Sequence, residues 1–165
     1  MKVMQYAVLA SILTLGSVFA NVAIAKDISP AKSVADVQMN SQQELIDLFF
    51  AAAKSGNDDV INEFLKYGFP VNIKNHAGFT PLMMASYYGH QNIVTTLIAH
   101  GADRCARDNK GNTALMGAMF KLEWSIVKQL RKIDCDVNAK QTGQKTVEEF
   151  AKVIGQDQKL KQLKD

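Results

Sequence analysis

The chain has 165 residues, which is room for one domain and little more, and its 47% hydrophobic content is inflated by the N-terminal segment. A formal charge of +3, with both signs mixed along the chain, lacks the concentrated basic stripe of a nucleic-acid binder. Lys159, Lys161 and Lys164 read as a solvated helix end favoured by the helix dipole, not as an anion site.

The first stretch has the pattern of a secretory signal peptide over residues 1–25. Lys2 is a minimal positive start, Ala7 to Phe19 is an apolar run, and Ala23-Ile24-Ala25 has the small-x-small form that precedes cleavage. The apolar run is short for a membrane span, which needs about 20 residues. No cysteine follows the expected cut after Ala25, which argues against a lipid anchor. The expected destination is a Gram-negative periplasm, with no membrane contact after cleavage. Residues 26–40 carry one proline, scattered charges and no sustained periodicity, and are expected to form a flexible linker.

From residue 41 the chain becomes periodic. Ser41 with Glu44 has the form of a capping box ahead of Leu45, Leu48 and Phe49. The clearest unit runs from Asn75 to Arg107. Thr80-Pro81 is a helix start, since Thr caps well and Pro is pre-set for the first helical position. Leu82, Ala85 and Ser86 give that helix a small-residue face, and Gly89-His90 breaks it. Ile93, Val94, Leu97 and Ile98 then fall on one helical stripe, and Gly101 stands where a helix wants a residue of positive φ. Helix, break, helix and turn fill about 33 residues. Stepping forward by that length maps Gly78 to Gly111, Thr80 to Thr113, Ala85 to Ala118, Ile93-Val94 to Ile126-Val127 and Leu97 to Leu130. A further step gives Thr146, Ala151 and Gly155, and a backward step gives Ala52, Gly56 and Gly68. Val71-Asn72 and Val137-Asn138 recur in the same register. The units are 42–74, 75–107, 108–140 and 141–165, within a domain spanning 41–165.

This pattern resembles the ankyrin repeat family. The resemblance implies an all-α solenoid of about four helix-turn-helix repeats with short β-hairpin-like turns, the end units modified to meet water. Several positions depart from the family. Met83 and Met116 replace a His that ties neighbouring repeats through hydrogen bonds, so apolar packing is expected there. Leu122-Glu123 replaces Gly-His, and Asp134 stands where a glycine of positive φ is usual. Gly117 lies inside a helix, at about 1 kcal/mol relative to Ala, and Gly143 comes one place early. The C-terminal half is therefore expected to be the softer half.

No nucleophile elbow, phosphate loop, dinucleotide or zinc motif is present, and neither enzymatic activity nor a cofactor or metal is expected. His90 occupies the family's structural Gly-His position, while His76 and His100 have no cysteine or carboxylate pattern between them. Asp58-Asp59 reads as a helix-start pair. Cys105 and Cys135 both fall on the turn side of adjacent units. A disulfide needs Cα atoms within about 7 Å, less than the about 8–10 Å between packed helices. The reading leans to two small half-buried thiols, with a disulfide as the alternative in an oxidising compartment.

The resemblance implies a protein-binding module that uses its concave face. The family's variable positions fall on His76, Ala77, Phe79, Tyr87, Tyr88 and His100 in the second unit. In the third they fall on Asn109, Lys110, Asn112, Phe120, Lys121 and Ile133, and in the first on Lys54 and Tyr67. The aromatics Phe79, Tyr87, Tyr88 and Phe120 therefore converge on the face expected to meet a protein partner. Trp124, where the family is polar, is either a second contact or a space filler. Exported proteins similar to this one include some that support a periplasmic haem catalase against peroxide and some that resemble immunity proteins against delivered toxins. Haem binding through His76 or His100 is a minor alternative. The chain is expected to be a monomer when free, and the residues do not identify its partner.

Overall fold

The computed structural model describes residues 34–163, apart from Asn138 and Lys140. The expected signal segment and its cleavage point, most of the expected linker, and Asn138 of the second Val-Asn pair lie outside the described residues. Among the described residues the chain is helical with no strand. The elements are α1 Val34–Ser55, α2 Asp58–Lys66, α3 Pro81–Tyr87, α4 Gln91–Ala99, α5 Ala114–Phe120, α6 Trp124–Leu130, α7 Val147–Val153 and α8 Asp157–Gln162.

The helices pair in sequence, α1 with α2 through α7 with α8, and each pair packs on the next. The inner helices α1, α3, α5 and α7 contact their neighbours in turn, and α2, α4 and α6 form a parallel outer row. This is the ankyrin solenoid that the sequence pattern predicts. Thr80, Thr113 and Thr146 start α3, α5 and α7 in extended backbone, each accepting a backbone N–H three residues on, at 3.2–3.4 Å. All three are buried, so each hydroxyl satisfies a helix donor that water cannot reach. Met83 and Met116 are buried, the apolar packing expected where the family carries a histidine.

Hairpin-like turns close ahead of the inner helices: Asn75 N–H donates to Phe79 O and Asp108 N–H to Asn112 O, both at 3.0 Å. The two turn tips join through Asn109 N–H to Ala77 O at 3.1 Å. Gly78 is required there. Its φ is +78°, and a Cβ would lie 2.8 Å from the Asn109 backbone nitrogen. On the outer side Asn72 bridges to the next unit, donating to Gly101 O and accepting from Asp103 N–H. His90 acts structurally, its Nε2 2.8 Å from Lys54 O in the preceding unit.

Four expectations change. Residues 34–40 are not a linker, because α1 begins at Val34, and Ser41 is inside that helix instead of capping it. The stretch contains neither Pro nor Gly, and the pairs Asn40–Glu44 and Gln43–Asp47 hydrogen-bond at helical spacing. Of the apolar residues placed after the supposed cap, Phe49 is buried, whereas Leu45 and Leu48 are half exposed. Phe49 anchors the N-terminal unit through rings 4.8–5.2 Å apart with Phe64 and Phe69. Cys105 and Cys135 are not two thiols; they form a disulfide with Cα atoms 5.1 Å apart. The chain leaving α6 turns after Leu130, earlier than α4 ends, and this brings Cys135 back to the second unit. A bridge of this kind typically contributes about 2–4 kcal/mol by restricting the unfolded chain.

Asp134 does not adopt positive φ; among the described residues the non-glycine that does is Leu122, at φ +64°. Leu122 holds the break that Gly89 makes at φ +79° one unit earlier. Trp124 beyond it is half-buried against the core, as a space filler would be. The backbone between α5 and α6 therefore keeps the repeat's geometry against the preference of its residue, which is about 1–2 kcal/mol unfavourable for an L side chain.

Asp136 joins three units: it accepts from Val147 N–H at 2.6 Å and from Arg107 Nη2 at 3.3 Å. Arg107 also donates to Gly111 O and Lys145 O. Burial pushes the Asp136 carboxyl above the ordinary value of 3.8, with Glu148 and Asp134 adding to the rise; the Val147 N–H and Arg107 oppose it.

Two outcomes follow. Leu122→Gly relieves the strained φ and gives up a half-exposed side chain. It should raise unfolding stability by about 0.5–1 kcal/mol, read as a higher denaturant midpoint at unchanged slope; an unchanged or lower midpoint contradicts the strain. Because the folded Asp136 holds its proton more tightly than the unfolded chain does, its contribution is fully present below pH 3.8 and is lost as pH rises through the higher folded value. Asp136→Asn keeps an acceptor for Val147 N–H and removes the titration. The stability difference between the variant and wild type should therefore grow in the variant's favour as pH is raised from about 3 to about 6. A difference independent of pH over that window contradicts the assignment.

Candidate partner-binding groove

A groove of about 680 Å³ runs along the inner helices of the second and third units. Its floor is Met83, Met84, Met116 and Gly117 on α3 and α5. Its walls are Phe79, Tyr87, Tyr88, Phe120 and Phe150, and its polar end is the turn tip with Asp108, Lys110 and Asn112. The repeat dictates this arrangement. Tyr87 and Phe120 stand at equivalent places at the ends of α3 and α5, so the stacking of those helices lays one ring beside the other, centroids 6.3 Å apart and planes 14° from parallel. Tyr88 packs edge-on against Tyr87 at 5.2 Å.

The structure brings together most of the residues read from the sequence. All four aromatics line the groove, with Phe79 and Tyr87 half-buried, Tyr88 42% exposed and Phe120 55% exposed. Lys110 and Asn112 line its tip, and Lys121 lies 5.2 Å over the Tyr87 ring. His76 is exposed on the neighbouring tip, where its carbonyl accepts from Asn109 Nδ2 at 2.9 Å. His100 is separate. It is the C-cap of the outer helix α4, with Nδ1 2.9 Å from Thr96 O, and it does not line the groove. The end of an outer helix cannot reach the inner row across its own repeat.

Met84, Gly117 and Phe150 were missed. They occupy one column at the repeat interval, one helical turn before the Tyr87–Phe120 column, and extending the register along the helix would have found them. Gly117 is informative: a Cβ there would rest in ordinary contact with Tyr87, 3.8 Å away. The absent side chain therefore leaves the groove open at its middle.

The carboxylate lining the groove, Asp108, is buried and accepts from Lys110 N–H, Asn112 N–H and Asn112 Nδ2 at 2.8–3.3 Å, an internal turn lock. Among the described residues no group of His, Cys, Asp and Glu side chains could hold a metal ion. No helix among them is long and apolar enough to cross a membrane.

Comparison with known proteins agrees with the fold. The model of ankyrin repeats (3 copies) matches residues 48–141. Protein HOS4 of Saccharomyces cerevisiae is 45% identical over 68 residues, 41% of this chain and 6% of that protein. A putative ankyrin repeat protein of Pseudomonas aeruginosa is 40% identical over 52 residues, 32% of this chain and 30% of its own. Human protein phosphatase 1 regulatory subunit 27 is 38% identical over 61 residues, 37% of this chain and 40% of its own. The chain thus spans well under half the length of each of these relatives. Their shared part is the repeat itself, a fold that serves protein–protein interaction and is generally non-enzymatic. With its helix pairs stacked in one register and more than half its length matched by the repeat model, this chain belongs to the ankyrin repeat family.

Proposed function

We propose that the chain is an exported, non-enzymatic interaction module whose inner-face groove holds a segment of a protein partner. One observation carries this reading: Tyr88 and Phe120 stay about half exposed beside partly buried Phe79 and Tyr87 in a single apolar groove. The stack does not cover these rings, and aromatic side chains gathered this way are the usual anchors of interfaces. Export is supported by the apolar run Ala7 to Phe19 with Ala23-Ile24-Ala25 behind it, and by the Cys105–Cys135 bridge, which suits an oxidising compartment. Support of a periplasmic haem catalase and neutralisation of a delivered toxin are the two finer versions, and they differ in the partner alone.

The test uses the full chain expressed with its leader. The periplasmic fraction should contain protein whose mass corresponds to a start at Lys26. Partners cross-linked to wild type are compared with those of Phe120→Ala and Gly117→Leu. The first variant removes a ring and the second fills the middle of the groove. Both should keep their helical signal and disulfide, since Phe120 is exposed and Leu suits a helix better than Gly by roughly 1 kcal/mol. Both should lose at least about tenfold of the captured partner, the equivalent of about 1.4 kcal/mol. A captured catalase or a captured toxin separates the finer versions. Equal capture by all three proteins overturns the groove, and a retained N-terminus in a cytoplasmic pool overturns export.

A further inference from the structure

The groove is apolar inside, and lysine ammonium groups stand over two of its rings and at its turn tip. Lys54 Nζ lies 5.5 Å over the Tyr88 ring and Lys121 Nζ 5.2 Å over the Tyr87 ring, while Lys110 is exposed at the turn tip. These cations come from the first and third units, on either side of the tyrosines of the second. The lining carboxylate, Asp108, is buried, and both its oxygens accept bonds within its own turn.

An ammonium over a ring face is attracted by the ring's quadrupole and has its alkyl stem laid along apolar surface. Lys54 and Lys121 are exposed and stand over rings that line the groove. A carboxylate arriving there would meet cations beside low-dielectric walls, where a charge pair is worth more than in bulk water. A basic or neutral flank would leave the same cations unmatched or repelled. An uncharged apolar segment would satisfy the rings and nothing else.

We propose that the occupant of the groove is an acidic peptide segment of the partner: apolar side chains that enter between Phe79, Met84, Phe120 and Phe150, flanked by Asp or Glu carboxylates that pair with Lys54, Lys110 and Lys121. This rests on the groove being the binding site. It adds the chemical class of the ligand, which sets specificity through charge and affinity through the rings.

The test is a titration of the full-length mature chain with three labelled synthetic peptides read by fluorescence anisotropy. Each has the same core of three leucines, flanked by Glu, by Ser or by Lys. The Glu-flanked peptide should bind about tenfold or more tightly than the Lys-flanked one at low salt. That preference should shrink as salt is raised from about 0.01 M to about 1 M, where the screening length falls from about 30 Å to about 3 Å. The charge-reversed variant Lys54→Glu/Lys121→Glu, whose altered side chains are exposed and whose fold is checked by its helical signal, should reverse the preference. Phe120→Ala should weaken all peptides alike. Equal binding of the three peptides that is lost in Phe120→Ala overturns the acidic partner and leaves the groove standing. Binding indifferent to Phe120→Ala overturns both, and so does the absence of binding by any peptide.

Discussion

The fold depends on a column of alanines. Ala52, Ala85, Ala118 and Ala151 lie one repeat apart, one on each inner helix, and at most 4% of any of them is exposed. They stand where each inner helix packs on the next. A methyl group allows that approach, whereas a larger side chain in a packed core typically costs about 1–3 kcal/mol in strain. With the column in place, the threonine that starts each inner helix after the first is enclosed, and so must be a residue that satisfies its own helix. Ile93, Val94 and Leu97, and their counterparts Ile126, Val127 and Leu130, then fill the space behind. Each unit buries its face on its neighbours and on nothing more distant, so the ends need their own solutions. At the N-terminus that solution is the cluster of Phe49, Phe64 and Phe69.

The third unit shows what the stack tolerates. Leu122 is held at positive φ, and α6 ends early. Two links compensate on the same side of the molecule. One is the Cys105–Cys135 bridge; the other is Asp136, tied to Arg107 in the second unit and to Val147 in the fourth. Both tie the unit whose own turn chemistry is weakest to its neighbours, so local strain is offset by longer-range connections, a trade frequent in natural proteins. The Asp136 carboxyl carries a burial penalty in that position, which makes its link dependent on its two donors.

What was legible in the sequence follows from which physical demand fixes each position. Thr80, Ala85, Gly89 and Gly101 each answer one local requirement, a cap, a close approach or a positive φ, and such requirements recur at the repeat interval and show in the residues. The start of α1 was not legible, because its first turns lack the sustained apolar stripe that marks a helix beginning. The disulfide was not legible because it depends on where the chain goes after α6, and that path departs from the repeat. His100 was misplaced for a related reason: its position in the register matches variable positions of the family, but the end of an outer helix lies away from the inner row.

The groove presents the reverse case. The column of Lys54, Tyr87, Phe120 and Val153 runs along the inner face at the same interval as the alanines, yet its members share neither size nor polarity. Phe120 is 55% exposed and Val153 84%, so packing cannot be what selects them. An aromatic side chain offers about 150–250 Å² for burial. Covering the exposed half of such a ring at about 25 cal/mol per Å² is worth roughly 2–3 kcal/mol to whatever covers it. The alanine column fixes the spacing of the face and leaves its chemistry free. A face with free chemistry that nonetheless carries adjacent rings under lysine ammonium groups is not accounted for by how the chain folds.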